Sequence, residues 1–211
     1  MAKTLVIDTA TAACSVALID DDAVVAARYE LVGRGHAERL LPMIAELPDG
    51  GRAARVLVDC GPGSFTGVRV GLAAALALGI GWGVPVSGYS STAAVAIAAF
   101  AADPDLEALA VVLEGGHGEV FMQPFTASPF AASADLVSLT PERAVASIDA
   151  LPIVGSGLSW LTDVPSERQL GKTLPRAADA IRLPSLLTSL PPRPLYGRAP
   201  DAKPMAGYRP A

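Results

Sequence analysis

Three apolar runs separated by short polar turns open the chain and predict β-strands. They span Thr4–Asp8, 14–19 and 23–29, and the acidic turn 20–22 lies between the second and the third. Because connections this short join antiparallel neighbours, the opening predicts a three-stranded meander.

The next part of the chain alternates between helical and strand patterns. Leucine and isoleucine recur at helical spacing after His36, and Gly50 with Gly51 supplies a stop. The predicted elements are a helix over 36–47, a strand over Arg55–Asp59, a helix over 68–81, a strand over 84–86 and a helix over 92–101.

An antiparallel meander followed by βα units gives a mixed sheet with helices on its faces, since parallel neighbours need a crossover. We assign these elements to a first lobe over 1–103. Their order is that of the ribonuclease-H-like lobes of the actin-like ATPase superfamily. The predicted fold class is therefore α/β with two such lobes, by analogy of element order.

The remaining sequence predicts a second, reduced lobe over 104–190. Its expected elements are a hairpin over 108–113 and 119–125 across the turn GGHG, a helix over Pro141–Ser147, a strand over 152–154 and a helix over 177–183. The proline-rich residues 191–211 predict an extended tail.

The stretch 70–102 carries no formal charge and exceeds the roughly 20 apolar residues that cross a bilayer. It consists mostly of alanine and glycine, however, and the run GWGVPVSGYSST interrupts it with Pro85, glycines and hydroxyls. Each apolar half is too short to span. We therefore expect two buried helices joined by a short strand, and no membrane association.

The amino-acid composition excludes some classes of protein and of function. The 211 residues are 51% hydrophobic and 18% charged, which excludes a disordered protein. With 16 basic and 21 acidic side chains the net charge is −5, so we expect no unaided nucleic-acid binding. Two cysteines and no signal-peptide pattern indicate a cytoplasmic protein.

The loop 61–67, GPGSFTG, carries the clearest chemical signal. A glycine-rich turn from a strand into a helix directs backbone N–H groups toward one point, which favours an anion. Its spacing matches neither a Walker A loop nor a dinucleotide fingerprint. The glycines equally fit a turn with no ligand, in which Ser64 or Thr66 caps the helix. The nucleotide or anion candidates are Asp8, Thr9, Gly61, Gly63, Ser64, Thr66 and Gly67.

Five segments of the chain form a combined signature: LVIDTATAACSVAL, HAERLLPMI, GPGSFTGVRVGLA, GVPVSGYSSTAAVA and PLYGR. Together they resemble the TsaB family, also called YeaZ, whose members are described as tRNA threonylcarbamoyladenosine biosynthesis proteins. The resemblance covers the first lobe nearly completely and the second thinly.

The resemblance implies a non-catalytic scaffold that binds and activates the related catalytic subunit TsaD. That subunit transfers threonylcarbamoyl from its adenylate to the adenosine beside the anticodon of tRNAs reading codons that begin with A. The ATPase TsaE is a further implied partner, and tRNA is reached only through the complex. Homodimers are expected through the helices at 36–47 and 68–81.

Catalytic groups are sparse. Asp8 lacks the nearby glycine of the superfamily's first phosphate loop, and Asp59-Cys60-Gly61 lies in the wrong lobe for the second. TsaD binds metal through a histidine pair, whereas His36 stands alone here. We therefore expect no catalytic residue, no metal, and at most weak ATP or ADP with magnesium at a partner interface. Buried, inert thiols are expected for Cys14 and Cys60.

The partner interface is expected on the first-lobe helices, where small residues allow close approach. Its candidates are His36, Leu40, Met43, Leu47, Arg69, Val70, Gly71, Ala74, Ala75 and Leu78. Arg69 is either a contact to the partner or an anion, or a solvated helix charge. The same leucines fit a core as well as an interface.

Two other functions remain open from the sequence. One is a self-sufficient nucleotide-dependent phosphotransferase that uses Asp8 and the loop near Ser64 and Thr66. The other is a homodimeric structural protein.

Overall fold

The computed structural model describes residues 3–197. The first lobe consists of β1 (Thr4–Asp8), β2 (Ala13–Asp20), β3 (Ala23–Leu31), α1 (His36–Ala45), β4 (Arg55–Asp59), α2 (Phe65–Trp82), β5 (Val86–Tyr89) and α3 (Ser91–Ala102), with a short 3-10 helix at Pro48–Gly51. This order confirms the elements predicted for that lobe.

The boundary of β5 differs from the predicted 84–86, because α2 ends with a glycine cap. Gly83 adopts a left-handed conformation with φ 69°, and the Val84 N–H donates to the Gly79 carbonyl at 3.0 Å. This arrangement satisfies the last carbonyls of the helix. Val84 thus belongs to the end of α2, and the strand begins at Val86.

The first-lobe strands form a five-stranded sheet in the order β3-β2-β1-β4-β5. Pairing is antiparallel from β3 to β1 and parallel from β1 to β5. Leu5 and Ile7 of β1 face a core built with α1 and α2, whereas Val6 faces the opposite side. This alternation follows from the two-residue period of a strand.

The second lobe contains β6 (Ala108–Glu114), β7 (Val120–Thr126), β8 (Ala131–Ala132), β9 (Val137–Leu139), α4 (Pro141–Ser147), β10 (Ile153–Val154) and β11 (Gln169–Gly171), and 3-10 helices at Ser156–Trp160 and Ser166–Arg168. Its sheet follows the order β11-β10-β6-β7-β8, and β9 also pairs with β7. The predicted hairpin and the helix Pro141–Ser147 are confirmed. Two mixed sheets with helices on their faces confirm the predicted α/β class.

The helix α3 lies between the two sheets. Val6 and Leu57 from the first sheet share a buried cluster with Val95 of α3 and with Leu109 and Val111 of the second sheet. Most side chains of α3 are alanine, and the larger Val95 and Phe100 lie within the same buried cluster. The two lobes therefore share one continuous core through α3.

The end of the second lobe lies earlier than position 190. After β11 ends at Gly171, the 3-10 helix Ala177–Arg182 packs into the cluster around α3, and the Ala177 N–H donates to Ser15 Oγ at 3.0 Å. A further 3-10 helix, Ser185–Thr188, follows. The chain thus returns to the first lobe within the range predicted for the second.

Residues 190–197, which we call the strap, run along the first lobe. Gly88 at the sheet edge and Leu190 exchange two backbone hydrogen bonds, and the Leu195 N–H donates to the Cys60 carbonyl at 2.8 Å. The rest of the predicted tail, 198–211, lies outside the described residues.

The helix α2 has 18 residues and is longer than the predicted 68–81. By length and composition alone it could cross a membrane, so the expectation that this apolar half is too short to span is wrong. Val68, Leu72 and Ala75 on one of its faces belong to the first-lobe core. The helix also approaches the turn between β1 and β2 closely. A Cβ at Gly67 would overlap the Thr9 carbonyl, and one at Gly71 would overlap the Thr9 hydroxyl.

We expect Gly67→Ala to lower the free energy of unfolding by about 1–3 kcal/mol, because the added methyl group collides with rigid backbone. The matched control is Gly81→Ala in the same helix, where an added Cβ meets nothing within 4 Å. That control should stabilise the protein by about 0.5–1 kcal/mol through helix propensity. Urea denaturation measures both, and equal effects would contradict the close packing of α2.

Candidate functional site

The loop 61–67 joins β4 to α2, and several of its polar groups form hydrogen bonds within the protein. The Ser64 N–H donates to the Ala10 carbonyl at 2.6 Å, and the Gly67 N–H donates to Ser64 Oγ at 3.2 Å. Thr9 Oγ1 donates to the Gly67 carbonyl at 2.7 Å. The glycines of the loop serve this packing, since a Cβ at Gly63 would overlap the Ala10 carbonyl oxygen.

This arrangement does not fit a nucleotide phosphate held as in actin-like ATPases. Asp8 is fully buried and Thr9 is 1% exposed, so neither side chain reaches solvent. Ser64 and Thr66 are exposed, but the Ser64 hydroxyl already caps α2. The structure brings the predicted loop residues together, and Thr9, Ser64 and Gly67 form hydrogen bonds with one another.

Two aspartates meet at the carboxyl ends of the parallel neighbours β1 and β4. Asp8 and Asp59 are 0% and 1% exposed. The Tyr89 hydroxyl donates to Asp8 Oδ2 at 3.1 Å. Asp59 accepts from the Gly61 N–H at 2.7 Å and from the Ser91 hydroxyl at 2.7 and 2.9 Å. We call these two carboxyl groups the acid pair.

Burial changes the protonation of the acid pair. It raises the pKa of Asp8 to about 6 and holds the pKa of Asp59 well above its usual range. A negative charge on Asp8 raises the pKa of Asp59 further, because both carboxyl groups are buried away from solvent. The two groups therefore titrate as a pair, and Asp59 keeps its proton to higher pH than an ordinary aspartate.

Sequence reasoning missed Asp59, Tyr89 and Ser91 as parts of one cluster. A usable signal was present, because TLVID and RVLVD both end in aspartate and both were predicted as strands of one sheet. Parallel neighbours bring their carboxyl ends to the same edge. The position of Tyr89 depended on β5, whose bounds were predicted too early.

His36 and the cysteines have structural roles. His36 is 4% exposed, and its Nε2 lies 2.8 Å from the Thr11 carbonyl and 3.2 Å from the Ala13 carbonyl. Because both partners are acceptors, Nε2 carries the proton. Burial raises the pKa of Cys14 to about 11 and that of Cys60 to about 12, so both thiols stay neutral, as predicted.

Several predicted interface residues belong to the core instead. Six of the candidates are buried within the chain: His36, Leu40, Met43, Leu47, Gly71 and Ala75. The reason is that a helix lying on a sheet buries its most apolar stripe there. Arg69, Val70, Ala74 and Leu78 are half-buried and remain available at the surface.

The exposed apolar side chains of the two helices lie on other faces. Ile80 is 85% exposed, Leu41 is 55% exposed and Leu76 is 41% exposed. Ala73 and Ala77 are exposed beside them on α2. We call this surface, formed by Ala73, Leu76, Ala77 and Ile80, the α2 face.

A cleft of about 870 Å³ opens between the lobes, beside the loop 61–67. Arg34 and Arg69 lie on its first-lobe side, and Glu114 and His117 lie on its second-lobe side. The Ser156 hydroxyl accepts the Glu114 N–H at 3.1 Å, so it serves the second-lobe backbone. No group of three or more metal-binding side chains occurs within residues 3–197.

We expect the acid pair to make stability fall as pH rises. The pKa of both carboxyls is higher in the folded chain than the ordinary value of 3.8. Their contribution to the free energy of unfolding is therefore fully present below about pH 4 and is lost as the pH rises through about 6 and above. Replacing Asp59 by asparagine preserves the hydrogen bonds of the protonated acid and removes its titration.

The measurement is the urea midpoint of the wild type and Asp59→Asn between pH 4 and 8. Relative to Asp59→Asn, the wild type should lose stability by up to about 1.4 kcal/mol per pH unit for each proton released. Asp59→Ala, which strips the Gly61 N–H and the Ser91 hydroxyl of their acceptor, should be destabilised at every pH. Parallel pH profiles of the wild type and Asp59→Asn would contradict a raised pKa of Asp59 in the folded chain.

Comparison with known proteins shows which protein family has this architecture. The profile of the family described as "TsaD: tRNA N6-adenosine threonylcarbamoyltransferase" matches residues 16–128. The chain is 37% identical over 124 residues to "tRNA threonylcarbamoyladenosine biosynthesis protein TsaB" of Escherichia coli, a match over 56% of this chain and 53% of that protein. It thus spans about half the length of that relative.

Two further similarities cover nearly the whole chain. An uncharacterised protein of Mycobacterium tuberculosis is 33% identical over 214 residues, which is 96% of this chain and 94% of that protein. The solved structure "YeaZ from Pseudomonas aeruginosa" superposes with a TM-score of 0.75 at 26% identity, over 93% of this chain and 100% of that chain. The shared fold, the matching profile and the named relatives together show that the chain belongs to the TsaB (YeaZ) family.

Proposed function

We propose that this chain is a non-catalytic scaffold subunit in the formation of threonylcarbamoyladenosine on tRNA. It binds and activates a catalytic subunit of the TsaD type. The observation that carries the proposal is the exposed apolar α2 face on a lobe whose own acid pair is sealed from solvent. The relatives named as threonylcarbamoyladenosine biosynthesis proteins supply the process.

The closed acid pair argues against chemistry on this chain alone. A phosphotransferase needs a carboxylate that contacts magnesium or the phosphate, yet Asp8 and Asp59 are 0% and 1% exposed. The phosphotransferase alternative would require this site to open to solvent.

The α2 face suits a helical partner. Ala73 and Ala77 have small side chains that let a second helix approach closely, and Leu76 and Ile80, four residues apart, are exposed beside them. Leu41 adds an apolar side chain on the neighbouring helix α1. A related subunit with the same two helices can pack here, which makes a homodimer and the heterodimer competitors for one surface.

In the proposed complex the catalytic subunit supplies the reacting groups. It transfers the threonylcarbamoyl group from its adenylate to the tRNA adenosine, and this chain stabilises the active arrangement. The ATPase TsaE acts on the assembled pair, and tRNA is contacted through the complex. Any ATP or ADP with magnesium binds weakly, at the interface rather than at the acid pair.

We expect Ile80→Asp to weaken binding to the TsaD-type subunit at least about tenfold, because it places a charge in an apolar contact. Its effect on unfolding should stay within about 0.5 kcal/mol, since Ile80 is 85% exposed. The matched control is Leu186→Asp, at a residue 79% exposed and away from α2. Titration calorimetry with purified partner measures both.

Reconstituted tRNA modification completes the test. Activity should require this chain, survive Asp8→Asn and fall with Ile80→Asp. Separate elution of this chain and its cognate partner at several salt and nucleotide conditions would overturn the proposal. Heat from magnesium ATP added to this chain alone would favour the phosphotransferase, and self-association without a partner would favour a structural homodimer.

A further inference from the structure

Arg69 is held between the ring face of Phe65 and the hydroxyl of Tyr196. Its guanidinium lies 3.3 Å from the centroid of the Phe65 ring and 5.9 Å from that of the Tyr196 ring. One terminal nitrogen donates to the Phe65 carbonyl at 2.7 Å, and the other donates to the Tyr196 hydroxyl at 3.0 Å. The position of this charge is therefore fixed from both sides.

The strap brings Tyr196 to this place from the far end of the chain. The residue before it, Leu195, donates its N–H to the Cys60 carbonyl, and Gly197 after it packs against the Phe121 ring of the second lobe. Tyr196 itself is 67% exposed. Its side chain contributes little to the core, so its contact with Arg69 is its main described interaction.

Arg69 continues the α2 face along the helix. Arg69, Ala73, Leu76 and Ile80 follow one another at intervals of four, three and four residues, which places them on one side of the helix. A guanidinium has five N–H groups, and the two bonds to Phe65 and Tyr196 leave three without a partner among residues 3–197. A cation with free donors thus lies at one end of an apolar surface.

We propose that Tyr196 is a positioning residue that holds Arg69 ready for a carboxylate of the partner subunit seated on the α2 face. This inference rests on the proposed function. A planar guanidinium binds a carboxylate through two parallel hydrogen bonds, and that geometry needs a fixed orientation. Holding the arginine in advance reduces the conformational entropy lost on binding. The partner therefore presents an aspartate or glutamate next to apolar side chains.

The test compares variants of the full chain for affinity to the TsaD-type subunit. Tyr196→Phe keeps the ring and removes the hydroxyl, and should weaken binding about three- to tenfold. Arg69→Gln should weaken binding more, and adding Tyr196→Phe to it should cost no further affinity, because the hydroxyl acts through the arginine. Unfolding midpoints should not change.

The matched control is Tyr29→Phe. Tyr29 is also half-exposed and lies beneath an arginine, with the Arg176 guanidinium 4.5 Å from its ring centroid. Tyr29→Phe should leave the affinity for the TsaD-type subunit unchanged. Additive effects of Tyr196→Phe and Arg69→Gln, or an unchanged affinity in Arg69→Gln, would overturn the proposal.

A partner-free measurement separates this proposal from the proposed function. Phenylglyoxal modifies accessible arginines, and mass spectrometry follows Arg69 individually. Tyr196→Phe should speed its modification severalfold, with Arg34 as the internal reference. If the wild type binds no partner but Tyr196→Phe speeds the modification of Arg69, the proposed function fails and the contact between Tyr196 and Arg69 stands. An unchanged modification rate in Tyr196→Phe refutes that contact itself.

Discussion

The close contact between the β1–β2 turn and the start of α2 sets the arrangement of everything around it. Thr9 and Ala10 touch the loop 61–67 directly, and glycine at 63, 67 and 71 is what permits that distance. Asp8, directly before this turn, is fully buried. One packing constraint thus sets both the path of the loop and the position of the start of α2 against β1.

Much of the first lobe could be predicted because its signals are local. Short continuous apolar runs gave β1 and β4, and small-residue helices around β5 gave α2 and α3. The second lobe carried weaker signals, since its strands are short and its last helical segments are 3-10 turns. Its chain also returns to the first lobe after Gly171, which no local pattern announces.

The candidate site was harder to predict because its properties depend on what lies opposite each side chain. The helical stripe of Leu40 and Met43 fitted a core and an interface equally, and only the packed sheet decides for the core. The glycine loop indicated an anion, but the Ser64 N–H bonds the distant Ala10 carbonyl, and the N–H groups of Gly61 and Gly67 bond the nearby side chains of Asp59 and Ser64. Asp59 gained a role only when Asp8 was placed beside it.

The strap has a consequence for the order in which the protein is made. The edge strand β5 and the carbonyl of Cys60 receive their last backbone partners from Leu190 and Leu195. A ribosome releases these residues only after the strands of the second lobe have been synthesised. The first lobe, although encoded first, is therefore completed after the second, and a nascent chain exposes an unpaired sheet edge until then.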